Sequence, residues 1–158
     1  MMAARKPETE IDELALDAAK GDAEMIARLL AAIGPVLVRY CRARLGRRGN
    51  SYQEADDVAQ EVGYAVLAAV PAYTGGPFLR LMHEIATKIV DELQPFGDGG
   101  RAELSDLLPN LPALDRDIVV LRVATGLTTA ETATILGLGL AEVRVAQHRA
   151  LTRLRSLL

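Results

Sequence analysis

Residues 126–155 read GLTTAETATILGLGLAEVRVAQHRALTRLR, and how this stretch folds decides the rest. Apolar positions Ala130, Ala133 and Leu136, then Leu140, Val143, Leu151 and Leu154, recur at helical spacing. Gly137 and Gly139 interrupt them, and glycine is the residue that permits positive φ and closes a helix. Thr128 with Glu131 three residues on is a capping box, which starts the first helix there. Two short helices across a tight glycine turn form a helix-turn-helix, whose second helix can enter a DNA major groove.

Composition agrees with a helical chain. Half of the 158 residues are apolar, 4% are aromatic and there is no Trp, which favours helix packing over a β-sandwich. Cys41 is the only cysteine, so no intramolecular disulfide forms and a reducing cytoplasm is expected. No signal peptide and no apolar run of about 18 residues is evident, so neither export nor a membrane partner is expected. Net charge is −3, but it is unevenly spread. Five arginines and no acid fall in 36–49, four arginines and one glutamate in 140–158, and four acids with no base in 50–79. Two basic islands on an acidic chain suggest local DNA contact plus an acidic surface for another partner.

Upstream, the polar residues 1–9 read as a leader and Ile11–Ala19 as a short amphipathic helix. Asp22 caps a helix over 23–33, and Gly34-Pro35 closes it and opens a third helix with Val36, Leu37, Tyr40 and Cys41 inward. The arginines of that helix fit a solvated face as well as a DNA contact. QEADDVAQEVGYAVLAAV predicts a helix over 53–70, with Asp57 and Glu61 sharing a face and Asp56 and Gln60 beside them. Like charges at that spacing, without internal basic partners, invite an external cation; a basic protein fits better than a metal. Pro77 starts a helix whose core stripe is Phe78, Leu81, Met82, Ile85, Ile89 and Leu93. His83-Glu84 opens like a zinc-protease HExxH motif, but Thr87 breaks it. Residues 94–104 read as a linker, which predicts an all-α chain of two small helical domains, 10–93 and 105–158. In the second, a helix near 112–124 buries Leu114, Ile118 and Leu121 and turns Arg122 outward. No catalytic set is visible, so neither an enzyme activity nor a metal or other cofactor is expected.

Several stretches together carry a family likeness. GLTTAETATILG, VR and HRAL, after LPALDRDIVVLRVATGL, resemble the −35-reading domain of extracytoplasmic-function (ECF) sigma factors. ADDVAQEV and PFLRLMHEIA resemble the same family's region that grips core RNA polymerase and melts DNA; VRYCRARLG and AAKGDAEMIARLL fit the helices before it. The wording is closest to the actinobacterial sigma-D-like group. The resemblance implies a sigma region 2-like domain (10–93) for polymerase and the −10 element, and a region 4-like domain (105–158) for the −35 element. It assigns Asp56, Asp57, Gln60 and Glu61 to the polymerase β′ clamp, with the β flap as a second polymerase contact. It assigns Arg144, His148, Arg149 and Arg153 to −35 DNA, and Tyr73, Phe78 and Lys88 to the −10 side. Promoter DNA and an anti-sigma factor are the other implied partners.

Three departures from the family pattern stand out. DELQPFGDGG has no base where the family carries an arginine-rich helix end. Gly139 and Leu140 replace the polar cap and acid usual at the recognition helix. The eleven linker residues span at most about 40 Å, whereas a spacer of about 17 base pairs measures roughly 58 Å. Two alternatives therefore stand beside the sigma factor: a degenerate relative that binds polymerase or an anti-sigma partner without opening promoters, and a plain helix-turn-helix regulator.

Overall fold

Helix boundaries in the computed structural model follow the capping chemistry, over the described residues 9–93, 95 and 103–158. The leader lies outside these but for Thr9, and so do residues 94 and 96–102 of the linker. Thr9 caps α1 (Glu10–Ala19), its Oγ1 accepting from the Asp12 N–H at 3.3 Å. Asp22 caps α2 (Ala23–Leu45), accepting from Glu24 N–H at 2.9 Å and Met25 N–H at 3.3 Å. After a turn closed between Arg48 and Ser51 come α3 (Gln53–Ala69) and a 3₁₀ turn at Val70–Ala72. Helix α4 (Phe78–Val90) ends the first unit. The second comprises α5 (Leu104–Leu107), α6 (Ala113–Ile118) prolonged by a π turn (Val119–Ala124), α7 (Thr129–Leu136) and α8 (Leu140–Ser156).

Helix α2 is the first correction. It does not stop at Gly34-Pro35 but runs through as 23 residues. Proline removes one backbone bond and normally clashes with a helical residue before it, largely through that residue's Cβ. Gly34 has no Cβ, and Pro35 is exposed, so the freed carbonyl meets water. The gain is a continuous buried stripe, Leu29, Ile33, Leu37, Cys41 and Leu45, at steps of four. At its end Gly46 takes φ 75°, and a Cβ there would meet Ser105 Oγ at 2.3 Å and Glu103 Oε2 at 2.7 Å. Only glycine lets the start of α5 sit this close.

The buried stripe of α4 is also rotated from the expected one. Phe78, Leu79, Met82, Ala86 and Val90 are buried, while Leu81, Ile85 and Ile89 are half-buried. Helix α4 packs against α1, α2 and α3 on one side and α7 on another, so its apolar surface exceeds a single stripe. Its N-terminus is fixed from afar: buried Asp12 accepts the Phe78 N–H at 2.9 Å.

The pivot of the second unit is the stretch Ile118–Leu121, four consecutive buried residues. A regular one-sided helix does not bury four in a row. Ile118 belongs to the small helix-turn-helix core with Ala133, Val143 and Ala146, whereas Val119, Val120 and Leu121 join the large core shared with the first unit. The π turn widens the helix where it serves both. Two expectations fail here for that reason. Leu114 is 37% exposed, and Arg122 turns inward, giving Nε to Gln147 Oε1 at 2.9 Å and Nη1 to the Leu127 carbonyl at 2.6 Å.

Candidate partner and nucleic-acid interfaces

The helix-turn-helix forms as its glycines require. Thr128 Oγ1 accepts the Glu131 N–H at 3.0 Å and Glu131 accepts the Thr128 N–H at 2.9 Å. Gly137 is left-handed at φ 69°, ψ 34°, and the Leu138 N–H returns to the Ala133 carbonyl at 3.0 Å. Gly139 offers no capping side chain, but Glu142 accepts its N–H at 3.1 Å. Helix α8 then buries Val143, Ala146 and Ala150 and leaves Leu140 exposed at 47%, against expectation. That exposed face carries Arg144 and His148. Arg144 makes no ion pair or side-chain hydrogen bond among the described residues, so its guanidinium is free for a base edge or phosphate.

The other two expected contacts on α8 are partly committed. Arg149 and Arg153 converge on Asp115, which has no exposed surface: Arg149 reaches one carboxylate oxygen and Arg153 the other. About half of each arginine side chain stays accessible, 46% and 48%. They fasten α8 to α6 first and face solvent second. Asp115 was legible in the sequence as an acid three residues before Ile118 on the same helical face.

On the −10 side the structure separates the expected residues. Lys88 is exposed. Tyr73 is 8% exposed and Phe78 has no exposed surface; their rings meet edge to face, with centroids 5.3 Å apart. In this conformation neither ring is offered to an unpaired base, because both help close the loop onto α4.

The acidic helix divides in two, correcting the expectation that its acids lack internal partners. Asp56 is clasped by Arg42, Nε to Oδ1 and Nη2 to Oδ2 both at 2.8 Å, which holds its carboxyl below the usual range. Glu54 pairs with Arg48 at 3.0 Å. Asp57 and Glu61 remain exposed without a cationic partner among the described residues; Asp57 accepts only from Gln53 Nε2 at 2.8 Å. Gln60 is exposed and donates to the Tyr64 hydroxyl at 3.0 Å. Beside it runs a groove between α2 and α3 of about 330 Å³, lined by Leu30, Ile33, Leu37, Ala59 and Leu67, with Tyr64 64% exposed at its edge. An exposed aromatic in the register of an otherwise polar face is the signal for it.

The basic island on α2 is correspondingly spent inside the molecule. Besides Arg42 and Arg48, Arg47 engages Glu103, Arg39 gives Nε to the Thr125 carbonyl at 3.0 Å, and Arg44 pairs with Asp91 and donates to the Tyr40 hydroxyl at 2.8 Å. It is neither a solvated face nor a DNA surface. Next to Arg44, His83 packs edge-on against Tyr40 at 5.8 Å, and burial, with Arg44 adding to it, pushes its imidazole down to about 4. No group of three or more His, Cys, Asp or Glu among the described residues is placed to hold a metal ion. No described helix is long and apolar enough to cross a membrane.

An all-helical chain with a helix-turn-helix at one end and an unneutralised acidic helix face at the other is a DNA-reading protein built to hold a second macromolecule. Residues 101–154 match the family model for sigma-70, region 4. The chain is 41% identical to the ECF RNA polymerase sigma factor ShbA of Streptomyces griseus, over 94% of this chain and 95% of that one. It is 38% identical to the ECF RNA polymerase sigma factor SigD of Mycobacterium tuberculosis, over 92% and 82%. Among solved structures it is similar to CnrH in complex with the cytosolic domain of CnrY, at TM-score 0.70 and 27% identity, over 94% and 97%. The chain belongs to the family of ECF RNA polymerase sigma factors.

Proposed function

We propose that the chain works as a promoter-specificity factor: it binds core RNA polymerase, reads −35 and −10 promoter DNA, and directs initiation there. The chemistry is the polymerase's. The observation that carries this reading is the pairing of two unsatisfied charged surfaces on separate units. Asp57 and Glu61 on α3 lack a cationic partner among the described residues, and Arg144 on α8 lacks an anionic one. A plain helix-turn-helix regulator leaves the first surface unexplained.

In this reading residues 10–93 act as the region 2-like unit, 94–104 as the linker and 105–158 as the region 4-like unit. Asp57, Gln60 and Glu61 meet the polymerase β′ clamp directly, and Asp56 contributes by holding Arg42 and the α2–α3 geometry. Arg144 and His148 face −35 DNA, with Arg149 and Arg153 giving their exposed halves to phosphates; Lys88 serves the −10 side. The likeness to CnrH, seen with the cytosolic domain of CnrY, supports a protein regulator as a further partner.

Burial of Tyr73 and Phe78 favours one rival, a chain that forms holoenzyme without separating strands. In vitro transcription with purified core polymerase and a promoter library separates the two. Transcripts from defined starts support the proposal; holoenzyme without transcripts supports the rival.

A further inference from the structure

The two units are not held apart. Helix α7 lies against α4, and the π turn lies against α2. Arg80 on α4 gives Nε to the Thr134 carbonyl at 3.0 Å, with Nη2 on the same oxygen. Arg39 on α2 gives Nε to the Thr125 carbonyl at 3.0 Å. Both carbonyls lie at helix C-termini, Thr134 in the last turn of α7 and Thr125 just after the π turn, where backbone oxygens lack intrahelical partners. A guanidinium there also complements the helix dipole.

Such an arrangement cannot read two separated DNA elements. Packed helices lie about 8–10 Å apart, whereas the spacer between the two promoter elements measures roughly 58 Å. We propose that this packed form is a closed resting state, latched by Arg39 on Thr125 and Arg80 on Thr134, which must open before the chain reads a two-part promoter. This rests on the sigma-factor reading above. Its polar ties are reversible by design: water can satisfy both carbonyls and both guanidinium groups once the seam parts, so no buried polar group is stranded. The eleven linker residues reach about 40 Å when extended, enough chain to let the units separate. The rest of the seam is apolar, drawn from Val119, Val120, Leu127 and Ile135, so the open form needs a cover. That makes opening a step driven by a partner. The acidic pair Asp57 and Glu61 stays exposed in the closed form, so polymerase can be engaged before the seam parts.

The test locks the seam in the full chain. Arg80→Cys and Thr134→Cys are joined by a short reducible bis-maleimide; Cys41 is fully buried, its thiol pushed up to about 12, and does not compete. The locked chain should still co-purify with core polymerase yet lose at least about tenfold in promoter-specific transcript, regained on reduction, as expected when the competent fraction is withheld. A locked chain that transcribes as well as its reduced form overturns the proposal. If the uncrosslinked double variant and the wild type both give no transcript, the sigma-factor reading fails instead. The closed state is then judged alone by small-angle scattering of the free wild-type chain. A radius of gyration near about 15 Å is that of one compact body; a clearly larger one overturns the closed state. Arg39→Ala with Arg80→Ala should shift it upward while helicity is unchanged, and no shift removes the latch role of these two arginines.

Discussion

A single oxygen of the Asp115 carboxylate takes Arg149 twice, from Nε at 3.2 Å and Nη2 at 3.1 Å, from a position with no exposed surface of its own. This is the tie that aims α8. Asp115→Asn should destabilise the helix-turn-helix unit by about 2 kcal/mol, the range for charge-assisted bonds whose arginine partners can rehydrate. Urea unfolding followed by helicity measures it, and a loss under about 0.5 kcal/mol would contradict the anchoring role.

Arg144 has no such commitment. Arg144→Ala should leave stability unchanged and weaken binding to a −35 duplex by about 1–3 kcal/mol, with relaxed sequence preference. Arg153→Ala should instead weaken all duplexes alike and also lower stability. Fluorescence anisotropy against a matched and a scrambled duplex distinguishes them; equal losses on both duplexes for Arg144→Ala would refute base reading.

On α3, Asp57→Lys with Glu61→Lys should abolish co-purification with core polymerase while the unfolding midpoint holds. Glu54→Gln should leave co-purification intact, because Glu54 is already paired with Arg48. Retained binding in the reversed variant would remove this face from the polymerase contact.

His83 gives a pH signature. Its folded value is about 4 against an ordinary 6.5, so the unfolded chain takes up this proton first. The contribution of the neutral imidazole is complete above pH 6.5 and is lost as pH falls toward 4. Asp117, raised mainly by burial, works in the opposite sense, so the effect is read as a difference. The stability of wild type relative to His83→Gln should fall across that window and be flat above it; a constant difference would exclude the mechanism.

The sequence by itself determined the local elements whose ends are written in capping chemistry. Thr128 with Glu131, Gly137, Asp22 and Pro71 each act within a turn of where they stand, and the helix-turn-helix and the acidic helix followed from them. Its likeness to one family also carried the two-unit order. Tertiary structure decided what those elements do to one another. Gly34-Pro35 looks like a break until a buried stripe spans it, and Arg122 looks solvent-facing until Gln147 and the Leu127 carbonyl arrive from later in the chain. The five arginines of α2 read alike as a charge run, yet their acidic and carbonyl partners lie from 6 to 86 residues away. A charge has no fixed reach along the chain, so whether it is free for polymerase or DNA is settled only by what folding brings beside it.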